Sequence, residues 1–190
     1  MYVFTLVSGV NTAIPMALAG NYYNPSADGP WVVFQGARAG AYEDIYLYDT
    51  GNGLLRQITR KTDPGDNHDW NPRLDNGRIV WEKDMTGSAA KPGIYLYDIY
   101  STATTLILDG DGYRDPDISG DYLVCTKPAE TGLGTEIILY NLVTDETKTI
   151  ADSTKSNEDP RIDGGQVVWS SHDVYSASAP DVWLTDQIHL

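Results

Sequence analysis

The chain is 190 residues long, enough to bury a core in one domain or at most two small ones. Hydrophobic residues make up 41% and aromatics 11%, which excludes a disordered chain. Thirteen Lys and Arg against 27 Asp and Glu leave a net charge of −14, which argues against nucleic acid and against an anionic membrane surface.

The apolar set is rich in Tyr (13) and Trp (5) and poor in Phe (2), and there are 18 Gly and 10 Pro. Amphipathic aromatics suit half-buried strands, and Gly and Pro suit many turns, so the composition predicts an all-β chain. The single cysteine, Cys125, allows neither an intrachain disulfide nor a Cys-based zinc site. No run of 18 apolar residues occurs, so no membrane-spanning helix is expected. Ala17-Leu18-Ala19 has the form of a signal-peptidase site, but no Lys or Arg precedes Arg38. The first 20 residues are therefore read as structure, with any export signal upstream of them.

From residue 24 one pattern occurs four times. It reads Asn24-Pro-Ser-Ala-Asp-Gly-Pro-Trp-Val-Val-Phe34, then Asn71-Pro-Arg-Leu-Asp-Asn-Gly-Arg-Ile-Val-Trp81. It returns as Asp115-Pro-Asp-Ile-Ser-Gly-Asp-Tyr-Leu-Val-Cys125 and Asp159-Pro-Arg-Ile-Asp-Gly-Gly-Gln-Val-Val-Trp169. The prolines at 25, 72, 116 and 160 are spaced by 47, 44 and 44 residues. A second element follows each copy: Asp44-Ile-Tyr-Leu-Tyr-Asp49, Gly93-Ile-Tyr-Leu-Tyr-Asp98, Glu136-Ile-Ile-Leu-Tyr-Asn141 and Asp181-Val-Trp-Leu-Thr-Asp186.

Each copy predicts four short strands. A brief strand follows the proline, and a tight turn comes next at Asp28-Gly29, Asn76-Gly77, Gly120-Asp121 or Gly164-Gly165. The second strand ends at Phe34, Trp81, Cys125 or Trp169, which makes Trp81 and Trp169 core residues and Cys125 a small buried hydrophobe. The third is the Ile-Tyr-Leu-Tyr element, and the fourth covers 54–59, 104–108 or 146–150. Four strands at this period define a propeller blade, giving blades at 24–59, 71–108, 115–150 and 159–188 of a single domain.

These motifs resemble the TolB-like β-propeller repeat, in which Ser-Pro-Asp-Gly precedes an apolar pair with an aromatic and then Ile-Tyr-x-x-Asp. The Asn/Asp-Pro-x-Ile-Ser/Asp-Gly form here is similar to versions in archaeal and bacterial cell-surface proteins. The resemblance covers residues 24–188. It implies a propeller fold and an extracellular or cell-surface location, and for TolB-like proteins binding of a small ligand or peptide. Fold likeness does not fix function.

The fourth copy lacks a fourth strand. The apolar segment Val3, Phe4, Thr5, Leu6, Val7, Ser8 is expected to supply it, pairing along 181–185 and closing a four-bladed ring without a raw edge. Donation of the same strand to a neighbouring chain uses the same backbone chemistry and would build a filament.

Binding is expected on the loops between second and third strands and between blades, which share one face. That face carries His68, Asp69, Trp70, Tyr113, Arg114, His172 and Asp173, with Tyr22, Tyr23 and Tyr175 as further aromatics. Aromatics there would stack on a polysaccharide or pack on a partner chain, while Trp70 and Tyr113 also suit packing between blades. Asn24, Asn71, Asp115 and Asp159 open the innermost strands. They suit either a ring for a hard cation such as calcium or turns that fix the strand start. Asp109, Asp111, Asp115 and Asp117 begin like a calcium loop, without the closing Glu or flanking helices of an EF-hand. No nucleophile elbow, phosphate loop or zinc helix occurs, so no catalytic residue is assigned. The favoured reading is a non-catalytic surface module for assembly, adhesion or scaffolding, with itself or other surface proteins as partners. The alternatives are a carbohydrate-active hydrolase or lyase and a soluble ligand-binding propeller.

Overall fold

The computed structural model describes residues 1–16, 20–38, 43–60, 68–84, 91–130, 133–174 and 187–189. Among them there is no helix. The chain opens with β1 (Tyr2–Thr5) and β2 (Val10–Ala13), an antiparallel hairpin. Three four-stranded antiparallel sheets follow, each a meander. The first is β3 (Gly20–Asp28), β4 (Trp31–Arg38), β5 (Glu43–Asp49) and β6 (Leu54–Gln57). The second is β7 (Asp69–Asp75), β8 (Arg78–Lys83), β9 (Gly93–Asp98) and β10 (Thr104–Asp109). The third is β11 (Arg114–Ser119), β12 (Tyr122–Pro128), β13 (Thr135–Asn141) and β14 (Thr147–Ala151). A fourth sheet holds β15 (Lys155–Asp163), β16 (Gln166–Asp173) and β17 (Gln187–His189).

The innermost strands start before the Asx-Pro pair rather than after it. The reason is a bulge: register shifts fall between Tyr23 and Ser26, Trp70 and Arg73, Arg114 and Asp117, and Glu158 and Arg161. Asn24, Asn71, Asp115 and Asp159 take φ of 51, 48, 51 and 49°, a left-handed conformation that Asn and Asp tolerate best after Gly. The bulge steps the following proline, which has no N–H, out of the ladder. Of the expected hairpin turns, Asn76-Gly77 and Gly164-Gly165 have positive φ at both residues, and the other two at Gly29 and Gly120 alone.

The blades stack through alternating faces of their strands. Val33, Ile45 and Leu47 of the first sheet meet Leu74, Ile79, Trp81 and Tyr97 of the second. Val80 and Ile94 on the opposite face of the second sheet meet Ile118, Leu123, Cys125 and Ile138 of the third. The third packs through β11, β12 and β13 on β15. Trp81 is 2% exposed and Cys125 fully buried, as expected of them, and burial pushes the Cys125 thiol up. Trp169 departs from its expected core position. It is only partly buried and lines a cleft of about 320 Å³ with Ile150, Ala151 and Asn157.

Among the described residues the N-terminal strand pairs with β2 and with no strand of the fourth sheet. β1 pairs with β2, from Tyr2↔Ala13 to Thr5↔Val10, and Gly9 at φ 65° donates to the Thr5 carbonyl at 2.8 Å. The hairpin lies on the face of the first sheet turned away from the second. There Ile14, with Met1, Val3 and Met16, covers Val32, Phe34, Tyr46 and Tyr48. That apolar face would meet a preceding blade in a closed ring, and covering it is what draws the hairpin to it. The segment 181–185, expected as the third strand of the fourth blade, lies outside the described residues. The strand described beside β16 is β17, with Trp169 opposite His189.

Candidate functional site

The bulged residues form a ladder across the inner strands. Asn24 Nδ2 donates to Asn71 Oδ1 at 2.7 Å, and Asn71 Nδ2 to Asp115 Oδ1 at 3.2 Å. In the first two blades the residue after the second-strand aromatic supports this ladder. Gln35 Oε1 accepts from Asn24 Nδ2 and from the Asn71 N–H, both at 2.8 Å. Glu82 does the same one blade on, accepting from Asn71 Nδ2 at 3.2 Å and from the Asp115 N–H at 2.6 Å. Gln35 and Glu82 are 2% and 3% exposed. Among the described residues the inner strands of neighbouring blades share no backbone pairing, so these side chains take up backbone donors that burial would otherwise leave unpaired.

Further down the strands the device repeats. Ser26 Oγ accepts from the Leu74 N–H and Asp117 Oδ2 from the Ile162 N–H. At the turns Asp28 accepts from Asn76 and Asp75 from Gly120.

The inner row carries opposed charges. Burial pushes the Glu82 carboxyl up to about 7, Asp115 adds to the rise, and the Asp115 N–H and Arg114 oppose it. Burial and then the Asp159 charge push Asp115 up, while burial and then Arg161 push the Arg73 guanidinium down. Arg73 lies 3.9 Å from Asp117.

On the loop face, His68 Nδ1 bonds Glu43, which also accepts from the Tyr23 hydroxyl at 2.7 Å. The Trp70 ring stands edge-on to His68, with centroids 5.2 Å apart, and is 36% exposed. These four residues form one polar-aromatic cluster across the first two blades. Asp69 does not join it. It points between the blades, 1% exposed, accepting from Trp81 Nε1 at 2.8 Å and paired with Lys83 at 3.1 Å. Burial pushes its carboxyl up, against the pull of Lys83. Tyr113 packs on the second-to-third blade core, with Lys127 over its ring. His172 lies 3.6 Å from Glu158, and Asp173 pairs with Lys155 at 3.5 Å. The two histidines thus serve separate pairs.

The four carboxylates of the acidic loop also part company. Asp109 bonds Lys91, Asp111 lies 3.8 Å from Arg114, Asp115 joins the ladder and Asp117 turns to the fourth blade. Among the described residues no three His, Cys, Asp or Glu side chains converge to hold a metal.

Gln35, Glu82 and Glu43 were not singled out by the motif reading. For the first two the signal was present, since a polar residue follows the apolar run in every copy: Gln35, Glu82, Thr126 and Ser170. Glu43 precedes the third-strand motif and carries no repeat signal.

No family model matches the chain, and no curated protein matches it. Solved structures do resemble it. TolB from Acinetobacter baumannii aligns at 16% identity and TM-score 0.56, over 90% of this chain and 45% of that one. A putative TolB from Agrobacterium tumefaciens aligns at 21% and 0.62, over 85% and 57%. An oligogalacturonate lyase in complex with manganese aligns at 12% and 0.62, over 94% and 54%. The fold is therefore that of a TolB-like β-propeller, and this chain spans about half the length of these structures.

Proposed function

We propose that the chain is a non-catalytic, extracellular propeller module for assembly or scaffolding, docking through its N-terminal hairpin. The observation that carries this reading is the exposed apolar surface of that hairpin. Tyr2 and Phe4 are 74% and 55% exposed, and Leu6 and Val7 in the turn are 88% and 100%. Contiguous apolar residues in water favour a docking site over a solvated surface. On a chain of net charge −14 this segment is also the part without charge, since no Asp, Glu, Lys or Arg precedes Asp28. A partner reaches it without meeting like charge, and the apolar contacts then set the lifetime of the complex.

The Leu6→Ser, Val7→Ser double variant tests this. Neither side chain contributes to the core, so the variant should melt with the parent protein. Expressed in the source cells, the parent should be labelled by a membrane-impermeant reagent and stay with the cell surface, while the variant is shed into the medium. Equal retention of both would remove the hairpin from the role.

A further inference from the structure

We propose that Tyr23, Glu43, His68 and Trp70 form a binding site on the loop face for a neutral saccharide chain. This goes beyond the docking role of the hairpin and does not rest on it.

The argument starts from one repeat position. The residue before each bulged Asn or Asp is Tyr23, Trp70, Arg114 or Glu158. The position holds an aromatic ring in the first two blades and a charged side chain in the other two. Phe34, Tyr46, Tyr48 and Trp81 of the same two blades are buried, whereas Tyr23 and Trp70 are both exposed. Neither ring joins the apolar cores described between the blades or under the hairpin. Packing between blades therefore does not account for them.

The two rings are held in place before any ligand arrives. Tyr23 lies opposite Gln35 and Trp70 opposite Glu82, the two residues that anchor the ladder. The next residues, Asn24 and Asn71, are hydrogen-bonded to each other at 2.7 Å. The side chains are tied as well. Glu43 Oε1 accepts from the Tyr23 hydroxyl at 2.7 Å, Glu43 Oε2 bonds His68 Nδ1, and the His68 ring stands edge-on to Trp70. Rings ordered in advance lose little conformational freedom on binding.

The chemistry of the cluster selects the ligand class. An exposed aromatic face takes up apolar surface. The Glu43 carboxylate beside it is partly exposed, and each of its oxygens has a second lone pair to offer. A ligand that satisfies both has flat C–H faces edged by hydroxyls, repeated along a chain. β-linked glucose units have this form, and their hydroxyls would donate charge-assisted hydrogen bonds to Glu43. A carboxylate in the site and a net charge of −14 repel an acidic saccharide, so the ligand is neutral. A basic peptide would suit the charge, but it would meet a carboxylate already committed to Tyr23 and His68.

Isothermal titration with cellohexaose tests this. The parent should bind it saturably, one site per chain, and more tightly than it binds an acidic hexagalacturonate. Trp70→Tyr keeps a ring and should bind nearly as the parent does. Trp70→Leu keeps apolar bulk without a ring and should weaken binding about tenfold or more, as should Tyr23→Leu. Both positions are exposed, so circular dichroism melting should stay close to the parent, and Tyr23→Leu carries the test if Trp70→Leu melts early. The Leu6→Ser, Val7→Ser variant should bind cellohexaose as the parent does. Absence of saturable binding would overturn the proposal, as would parental affinity in the folded leucine variants. Hexagalacturonate binding above cellohexaose would also overturn it, and binding of hexalysine in place of cellohexaose would reassign the cluster to a basic peptide. Loss of binding with Leu6→Ser, Val7→Ser would move the saccharide to the hairpin and overturn the site, whereas the docking role stands or falls on surface retention.

Discussion

Replacing Glu82 by Gln isolates one physical force in the inner row. A carboxylate of ordinary range 4.5, pushed up to about 7 by burial, opposes folding whenever it is ionised. At roughly 1.4 kcal/mol per pH unit, the burden on the folded state is on the order of 3 kcal/mol above pH 7. Between pH 4.5 and 7 the folded state holds a proton that the unfolded state has lost. Stability from this group is therefore fully present below about 4.5 and is lost as pH rises to about 7. Gln has the same shape, and Gln35 shows that one amide oxygen can accept both a bulged Asn and a backbone N–H. Urea unfolding of the parent and of Glu82→Gln at pH 5 and pH 8 measures the difference. The parent should lose on the order of 3 kcal/mol more than the variant over that interval, and the variant should be the more stable at pH 8. Two curves falling in parallel with pH would refute a buried, protonated Glu82.

Asn71→Ala should cost roughly 2–4 kcal/mol, from a left-handed backbone at φ 48° and lost hydrogen bonds, and Asn71→Gly should recover the backbone part in thermal melts. Gly93→Ala should destabilise by roughly 2–4 kcal/mol or prevent folding, because its Cβ would meet the Leu108 carbonyl at 1.9 Å with φ +142°; an unshifted urea midpoint would contradict the β9–β10 packing. Trp81→Phe should cost about 1–3 kcal/mol by leaving buried Asp69 one donor short, and Trp81→Phe combined with Asp69→Leu should cost less than the separate changes sum to.

The blade pattern was legible because period, turn and strand chemistry repeat in every copy, as the β3–β6, β7–β10 and β11–β14 meanders bear out. The role of the Asx-Pro pair was half legible. A turn-forming Asn or Asp was foreseen at 24, 71, 115 and 159, but the bulge within a continuous strand was not, because it depends on a partner strand that local sequence does not specify. The hairpin was missed for a related reason. Val3 to Ser8 is a plausible strand in either setting, and the choice of partner follows from which apolar face lies open nearby. The cluster of Tyr23, Glu43, His68 and Trp70 joins residues of two blades, so adjacency in sequence linked only His68 with Trp70. Chain order likewise suggested that Asp69 belongs with His68, whereas alternation along β7 turns it inward.

The most direct test of the assembly reading is sedimentation velocity of the unmodified, purified chain from low to high micromolar concentration. Self-assembly through the hairpin predicts a weight-average mass that climbs through multiples of the single chain, and a return to single chains with Leu6→Ser, Val7→Ser. A parent that sediments as one single-chain species across the whole range would contradict it.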